Sequence, residues 1–259
     1  MKRNAVKMMT SLMTAGLMVS GVAVVPTEAA PQSPVELSGE MGAAKPTLQQ
    51  EQQGVKITNH TIEKKIPEAS IKVDYPQISG LKNKSVQKRM NKLLNEKAET
   101  FVANALKEAK AGQPTTPSGN PYEYVGVYKV TYNRDGVLSL YEDLYSYTGG
   151  AHGITVREGL TFRLDNGKLL TLDELLRANP NYRSIVDPAI AKKLQETDGY
   201  FGNFKTIGPN PSYFVQDDGV TIFFQLYDYL PYVFGFPEFH FPFAQLLPPG
   251  TNPFDFKTR

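Results

Sequence analysis

The 259-residue sequence contains no cysteine and no tryptophan, and only three of its residues are histidine. Without cysteine the chain cannot form disulfide bonds, carry a lipid-modified cysteine anchor or use a thiol nucleophile. Stability must therefore come from a hydrophobic core, for which the chain is long enough. His60, His152 and His240 lie far apart, and none has a metal-ligand partner at helical spacing, so no metal site and no cofactor are expected.

Several catalytic and nucleotide-binding motifs are also missing from the sequence. It has no Gly-x-Ser-x-Gly nucleophile elbow, no phosphate-binding loop and no dinucleotide fingerprint. These absences exclude the enzyme classes that the motifs define. They leave other enzymes open, and they favour a protein without catalytic activity.

The amino terminus has the layout of a secretory signal peptide over residues 1–29. Three basic residues begin the chain, an uncharged apolar run covers 8–25, and small residues follow it. Cleavage after Ala29 is expected, which predicts a secreted protein at the extracellular face of the cell envelope. Because the apolar run approaches the length that spans a bilayer, the alternative is an uncleaved segment that attaches the protein to the membrane.

The slight excess of basic over acidic residues in the chain comes from residues 1–29. Removing 1–29 takes away three of the 28 basic and one of the 26 acidic residues, which leaves 25 of each. A neutral remainder lacks the clustered positive charge that nucleic acids require, so nucleic acid is excluded as a partner. Residues 30–54 are rich in proline, glutamine, alanine and glutamate without apolar periodicity, which predicts a disordered linker.

Beyond the linker, strand and helix patterns come in blocks. Short strands are predicted between Val55 and Gly80, where apolar residues alternate with polar ones. Apolar residues at spacings of three and four then predict a long helix from Ser85 to Ala111. Strands joined by tight turns follow over 124–164, including a hairpin at 133–136.

The carboxyl-terminal block begins with helices and ends in strands. A capping box at Thr171 and Glu174 predicts a short helix, and a second helix is expected over 181–196. The hairpin predicted over 213–229 has an apolar second strand, which is typical of a central strand. Together the blocks predict an α+β fold with a mainly antiparallel sheet, packed with one long and two or three shorter helices.

Six short motifs stand in an order and spacing that are specific when taken together. They are Tyr75-Pro76-Gln77-Ile78, the run from Tyr145 to His152 (YSYTGGAH), Thr161-Phe162, Asn166-Gly167-Lys168-Leu169, the run from Thr171 to Leu175 (TLDEL), and Tyr227, Tyr232 and Gly235-Phe236-Pro237-Glu238. With these motifs the sequence resembles the RsiV/PdaC-like family of exported bacterial domains over roughly 55–247. The resemblance implies a two-part unit.

The expected organisation follows from the signal segment, the linker and this resemblance. It consists of a signal peptide at 1–29, a linker at 30–54, a PdaC-like amino-terminal α+β part at 55–155, an RsiV-like carboxyl-terminal α+β part at 156–247 and a tail at 248–259.

The family includes the extracellular part of a lysozyme-sensing anti-sigma factor and the amino-terminal module of a peptidoglycan deacetylase. Only seven residues precede the apolar run here, so no sigma-factor partner is expected. No separate catalytic domain follows Leu247, so the deacetylase activity is not carried over. What the resemblance implies is a sensing or binding module whose ligand is a lysozyme-like protein or a peptidoglycan fragment.

The candidate binding residues lie in the stretch 141–153. Three tyrosines share one face if the strand is regular, and two glycines break the strand before a histidine. Tyrosine combines a flat apolar ring with a polar tip, which suits a protein or sugar surface. Alternatively, the tyrosines are covered core and the glycines only form a bend. The candidate residues are Tyr141, Tyr145, Tyr147, Gly149, Gly150 and His152.

Acidic residues in the same stretch allow other hypotheses. Glu142, Asp143 and His152, with Glu158, could form an acid/base pair or a hard-cation site, as in a cell-wall glycan hydrolase or deacetylase. The competing interpretation of these residues is a solvated strand face. A third hypothesis is a structural domain of a larger envelope assembly. The leading one is a secreted, non-catalytic recognition module of the cell envelope.

Overall fold

A computed structural model of the chain describes residues 54–112, 116 and 119–256. The expected signal peptide at 1–29 lies outside these described residues, as do the expected linker up to residue 53 and the last three residues of the tail. Within the described ranges, no helix is long and apolar enough to cross a membrane.

The described chain forms two sheets and four α-helices, which confirms the predicted α+β class and its two-part organisation. The elements are β1 (Lys56–Ile66), β2 (Ala69–Ser79), α1 (Lys84–Ala111), β3 (Tyr122–Arg134), β4 (Val137–Tyr147), β5 (Ile154–Arg163), α2 (Leu172–Leu175), α3 (Arg183–Gln195), β6 (Tyr213–Val215), β7 (Gly219–Phe223), β8 (Glu238–Pro242) and α4 (Phe243–Leu246). The first sheet has the order β1-β2-β3-β4-β5 and the second the order β6-β7-β8. Neighbouring strands are antiparallel except for the parallel pair β2 and β3.

Helix α1 covers one face of the first sheet. The apolar residues at the predicted spacing of three and four make this contact. The side chain of Asn83 caps the helix by accepting the backbone N–H groups of Ser85 and Val86. Asn91 bonds both backbone groups of Ile78, accepting its N–H at 2.8 Å and donating to its carbonyl at 2.9 Å, which fixes β2 against the helix. The buried side of α1 consists of Val86, Met90, Leu94, Ala98, Val102, Ala105 and Ala109.

The hairpin between β3 and β4 turns where the sequence predicts it. Asp135 and Gly136 have φ values of 53° and 74°, a left-handed conformation that these residue types tolerate. A register shift between Val130 and Tyr132 interrupts the ladder of β3. Because of this bulge Tyr132 packs in a different core from Tyr128 and Val130, although the three residues alternate along one strand.

A second core lies between the second sheet and the helices of the carboxyl-terminal part. Strand β7 is central in its sheet and buried along its whole length, as its apolar sequence predicts. It ends at Phe223 rather than near Tyr229, because the chain turns at Gln225–Asp228. Helix α3 packs on this core through Val186, Ile190 and Leu194.

The predicted short helices are present in the same part of the chain. The hydroxyl of Thr171 accepts the N–H of Glu174 at 3.2 Å, and the Glu174 carboxylate accepts the N–H of Thr171 at 3.0 Å. This reciprocal pair confirms the capping box at the start of α2. Helix α3 runs through Pro188 without ending there.

The two sheets touch where β4 and β5 face β6. The buried hydroxyl of Ser139 accepts the backbone N–H of Val215 at 2.9 Å and lies 2.8 Å from the hydroxyl of Thr161. Gly159 permits a close approach, since a Cβ atom there would lie 2.1 Å from the carbonyl oxygen of Tyr213. The expected boundary between the two parts, at 155/156, falls inside β5.

Candidate functional site

Three aromatic side chains from distant parts of the sequence stack on each other. The rings of His152 and Tyr232 have centroids 4.0 Å apart and planes inclined by 17°. Tyr227 lies beside both, with its ring 5.8 Å from that of Tyr232 and its hydroxyl 3.2 Å from Nε2 of His152. We call His152, Tyr227 and Tyr232 the aromatic cluster.

The loop between β4 and β5 presents His152 to this cluster. Gly149 and Gly150 have φ values of 110° and 93°, which favour glycine, and they turn the chain out of β4. Nδ1 of His152 lies 2.7 Å from the carbonyl oxygen of Gly153. Because that oxygen only accepts, Nδ1 donates a proton in this contact.

Tyr145 and Tyr147 border the aromatic cluster on β4. The hydroxyl of Tyr147 donates to the carbonyl of Gly150 at 3.0 Å and so braces the loop. The ring of Tyr145 packs on Gly153, where a Cβ atom would lie 2.4 Å from it. Partial burial raises the pKa of Tyr145, and the nearby Glu123 and Tyr232 add to this effect. Five of the six predicted binding residues therefore lie in or beside one surface.

Tyr141 occupies a different place, although it shares a strand face with Tyr145. Its ring is 5.1 Å from that of Phe214 on β6, and the guanidinium of Arg157 lies 4.0 Å from its centroid. These contacts place Tyr141 in a groove of about 340 Å³ between the two sheets. Tyr141 thus contributes to the contact between the sheets rather than to the aromatic cluster.

Glu142 points to the opposite face of the first sheet, towards α1. Its side chain is 8% exposed, and its carboxylate lies 3.9 Å from Nζ of Lys97. Burial raises the pKa of Glu142 to about 7; Lys97 lowers it, and Glu158 adds to the rise. Lys97 pairs more closely with Glu158 than with Glu142. Its positive charge therefore offsets only part of the cost of burying the Glu142 carboxylate.

Asp143 lies on the other side of the strand and is bound to Arg157. Two parallel hydrogen bonds join them, from Nε to Oδ1 at 2.7 Å and from Nη2 to Oδ2 at 2.8 Å. Successive strand residues point to opposite faces, so Glu142 and Asp143 do not share one site, and His152 stacks on Tyr232 instead. The catalytic site of the hydrolase hypothesis is therefore not assembled. Among the described residues, no three histidine, aspartate or glutamate side chains could hold a metal ion.

No motif in the sequence marks Arg157, although the structure gives it a central place. It is 8% exposed, and its guanidinium lies between the rings of Tyr141 and Phe236, at 4.0 Å and 4.2 Å from their centroids. It also pairs with Glu238 on β8, so it connects the two sheets. A single arginine within a strand carries no pattern from which this role could be predicted.

Tyr227 and Tyr232 did have a signal in the sequence, since both belong to the last of the six motifs. What the sequence did not reveal is that they meet the loop of His152. The aromatic cluster thus joins two segments that each carried part of the family resemblance.

The fold and this surface define a two-part α+β module, and comparisons with known families agree. The family described as "Deacetylase PdaC" matches residues 62–155, and the family described as "Protein of unknown function (DUF3298)" matches residues 173–244. The chain thus contains a PdaC domain followed by a DUF3298 domain, which confirms the resemblance seen in its motifs. The pair of domains indicates a cell-envelope-associated module.

Two solved bacterial structures are similar to this chain. A DUF3298 family member from Bacteroides fragilis has a TM-score of 0.52 at 16% identity, over 75% of this chain and 92% of that chain. A DUF3298 family protein from Pseudomonas aeruginosa has a TM-score of 0.47 at 15% identity, with the same coverage of 75% and 92%. At such identity the first likeness shows the fold alone. A search of curated protein sequences found no match.

Proposed function

We propose that this protein is a secreted, non-catalytic recognition module that binds a lysozyme-like protein at the bacterial cell envelope. The observation that carries the proposal is the aromatic cluster, built from the loop after β4 and from the segment between β7 and β8. The expected export signal at 1–29 supports secretion. The resemblance to a lysozyme-sensing ectodomain supports the class of partner.

The surroundings of the cluster favour a protein partner over a glycan. Val233 and Phe234, next to Tyr232, are 85% and 46% exposed, and Tyr227 is 47% exposed. Exposed apolar side chains grouped around tyrosines are typical of protein interfaces, where burying them contributes most of the binding energy. Val233 and Phe234 offer no side-chain hydrogen bond to a sugar hydroxyl, so a peptidoglycan fragment is the weaker candidate.

The test is calorimetric titration of the full-length protein with a lysozyme and, separately, with soluble peptidoglycan fragments. We expect saturable binding to lysozyme, weakened at least about tenfold by Tyr232→Ala, since a buried interface tyrosine contributes more than about 1.4 kcal/mol. Val156→Ala is the matched control. Val156 is an exposed apolar residue, and its side chain lies on the face of the first sheet opposite to that of Tyr145.

Each other result rejects part of the proposal. Binding to peptidoglycan fragments alone would replace the protein partner with a glycan. Equal weakening by Tyr232→Ala and Val156→Ala would reject the aromatic cluster as the binding surface. No binding to either titrant would reject both partner classes, and turnover of a cell-wall substrate would reject the non-catalytic assignment.

A further inference from the structure

The turn that carries Tyr227 has an unusual backbone. The N–H of Asp228 donates to the carbonyl of Gln225 at 3.2 Å, which closes a tight turn with Tyr227 at its third position. Tyr227 has a φ of 67°, in the left-handed region where glycine is the ordinary residue. This conformation is strained for a tyrosine, so the surrounding contacts must hold it in place.

The side chain of Gln225 supplies such contacts. Its Oε1 accepts the backbone N–H of Arg157 at 3.0 Å, and its Nε2 donates to the carbonyl of the same residue at 2.7 Å. The amide group thus bonds the edge of β5 as a neighbouring strand would. The backbone N–H of Gln225 donates to the carboxylate of Asp228 at 2.8 Å, so the turn is also bound internally.

These bonds set the position of Tyr227 relative to His152. His152 follows β4 in the first sheet, whereas Tyr227 lies two residues after Gln225. Arg157 itself is held by its bonds to Asp143, so its backbone is a fixed attachment point for Gln225. The side-chain amide of Gln225 is therefore a direct connection between the turn and the sheet from which His152 projects.

We propose that Gln225 is a positioning residue, whose amide bonds the left-handed turn to β5 and so holds Tyr227 against His152. The expected effect of Gln225 on ligand binding rests on the proposed function. Its expected effect on the contact between Tyr227 and His152 in the ligand-free protein does not. Only a side-chain amide of this length provides both a donor and an acceptor to the two backbone groups of Arg157.

The variants Gln225→Glu and Gln225→Met test this role in the full-length protein. Glutamate keeps the shape but cannot donate to the carbonyl of Arg157, and methionine keeps the length without either hydrogen bond. The matched control is Gln195→Glu, which makes the same charge change at an exposed position at the end of α3. Thermal unfolding of each variant checks that the fold is retained.

The primary measurement is the proton NMR signal of the His152 ring without ligand. The chain has only three histidines, so His152→Ala assigns the resonance. Stacking on Tyr232 shifts this signal, and we expect both Gln225 variants to move it towards the position of an exposed histidine while Gln195→Glu leaves it unchanged. We also expect lysozyme binding to weaken about tenfold, which corresponds to about 1.4 kcal/mol.

A second measurement needs no variant. Amide hydrogen exchange in the native protein should be slower at Arg157, whose N–H is bonded to Gln225, than at Thr155, which lies two residues earlier on the same strand edge. Equal or faster exchange at Arg157 would overturn the bond on which the inference depends, even if both variants failed to fold.

The outcomes separate this inference from the proposed function. An unchanged His152 signal in folded Gln225 variants overturns the positioning role, whatever the protein binds. A displaced signal with undiminished lysozyme binding supports the positioning role and instead rejects the aromatic cluster as the binding surface.

Discussion

Ser139 and Val215 are joined across the two sheets by a buried hydrogen bond, in which the serine hydroxyl accepts the backbone N–H at 2.9 Å. Ser139 belongs to the PdaC-like part and Val215 to the DUF3298 part, and neither residue is exposed to solvent. The two parts therefore share buried polar contacts as well as apolar ones.

Ser139→Ala should destabilise the protein by about 1–3 kcal/mol, because it leaves the N–H of Val215 buried without a partner. The measurement is the free energy of unfolding in urea. Ser70→Ala, at an exposed position on β2, is the control and should change that free energy by no more than about 0.5 kcal/mol. Equal effects of the two substitutions would show that the hydrogen bond across the sheets contributes nothing to the free energy of unfolding.

Gly159→Ala should destabilise the contact between the two sheets through a steric clash. The added methyl group would lie 2.1 Å from the carbonyl oxygen of Tyr213, and a backbone atom cannot rotate away as a side chain can. We expect a loss of at least about 1–3 kcal/mol in urea unfolding, as for other overpacked sites. Thr155→Ala on the same strand adds no atoms and is the comparison. A stability equal to wild type would mean that the sheets separate at little cost.

The sequence predicts best those features that depend on neighbouring residues. The long helix follows from the spacing of its apolar residues, and Asp135-Gly136 marks a turn because these residues tolerate a positive φ. The capping box at Thr171 and Glu174 is a local exchange of hydrogen bonds, so four residues of sequence are enough to recognise it.

The sequence predicts less well those features that depend on contacts between distant residues. The bulge that sends Tyr132 into the second core and the early end of β7 at Phe223 follow from packing between elements, which leaves no periodic signal. The same limit applies to the candidate site. Separate motifs in the sequence contain the loop of His152 and the segment of Tyr232, but only the fold brings the two together.

Removing the charge of Arg157 should be among the most damaging single changes. Arg157→Met leaves the carboxylate of Asp143 half-buried without its bidentate partner, and we expect a loss of about 3–5 kcal/mol in urea unfolding. Adding Asp143→Asn should restore part of this loss, because the isolated charge is then gone. A double variant no more stable than Arg157→Met would show that the arginine acts through its aromatic contacts alone.

Glu142 makes the stability of the fold depend on pH near neutrality. Its pKa in the folded protein is about 7, against an ordinary value of 4.5, because burial between β4 and α1 disfavours the carboxylate. The folded state therefore binds a proton that the unfolded state releases between these values. This contribution to stability is fully present below about pH 4.5 and is lost as the pH rises through about 7.

Glu142→Gln should remove this dependence and make the protein more stable than wild type at pH 8. The neutral amide avoids burying a negative charge, and the shift from 4.5 to about 7 sets an upper limit of about 3 kcal/mol on the gain. The measurement is urea unfolding of both proteins at pH 5 and pH 8, where the difference between them should be larger at pH 8. Glu63→Gln, at an exposed position on β1, should show no such change between the two pH values. A Glu142→Gln protein that is less stable than wild type at pH 8 would instead mean that the attraction between Glu142 and Lys97 outweighs the cost of burial.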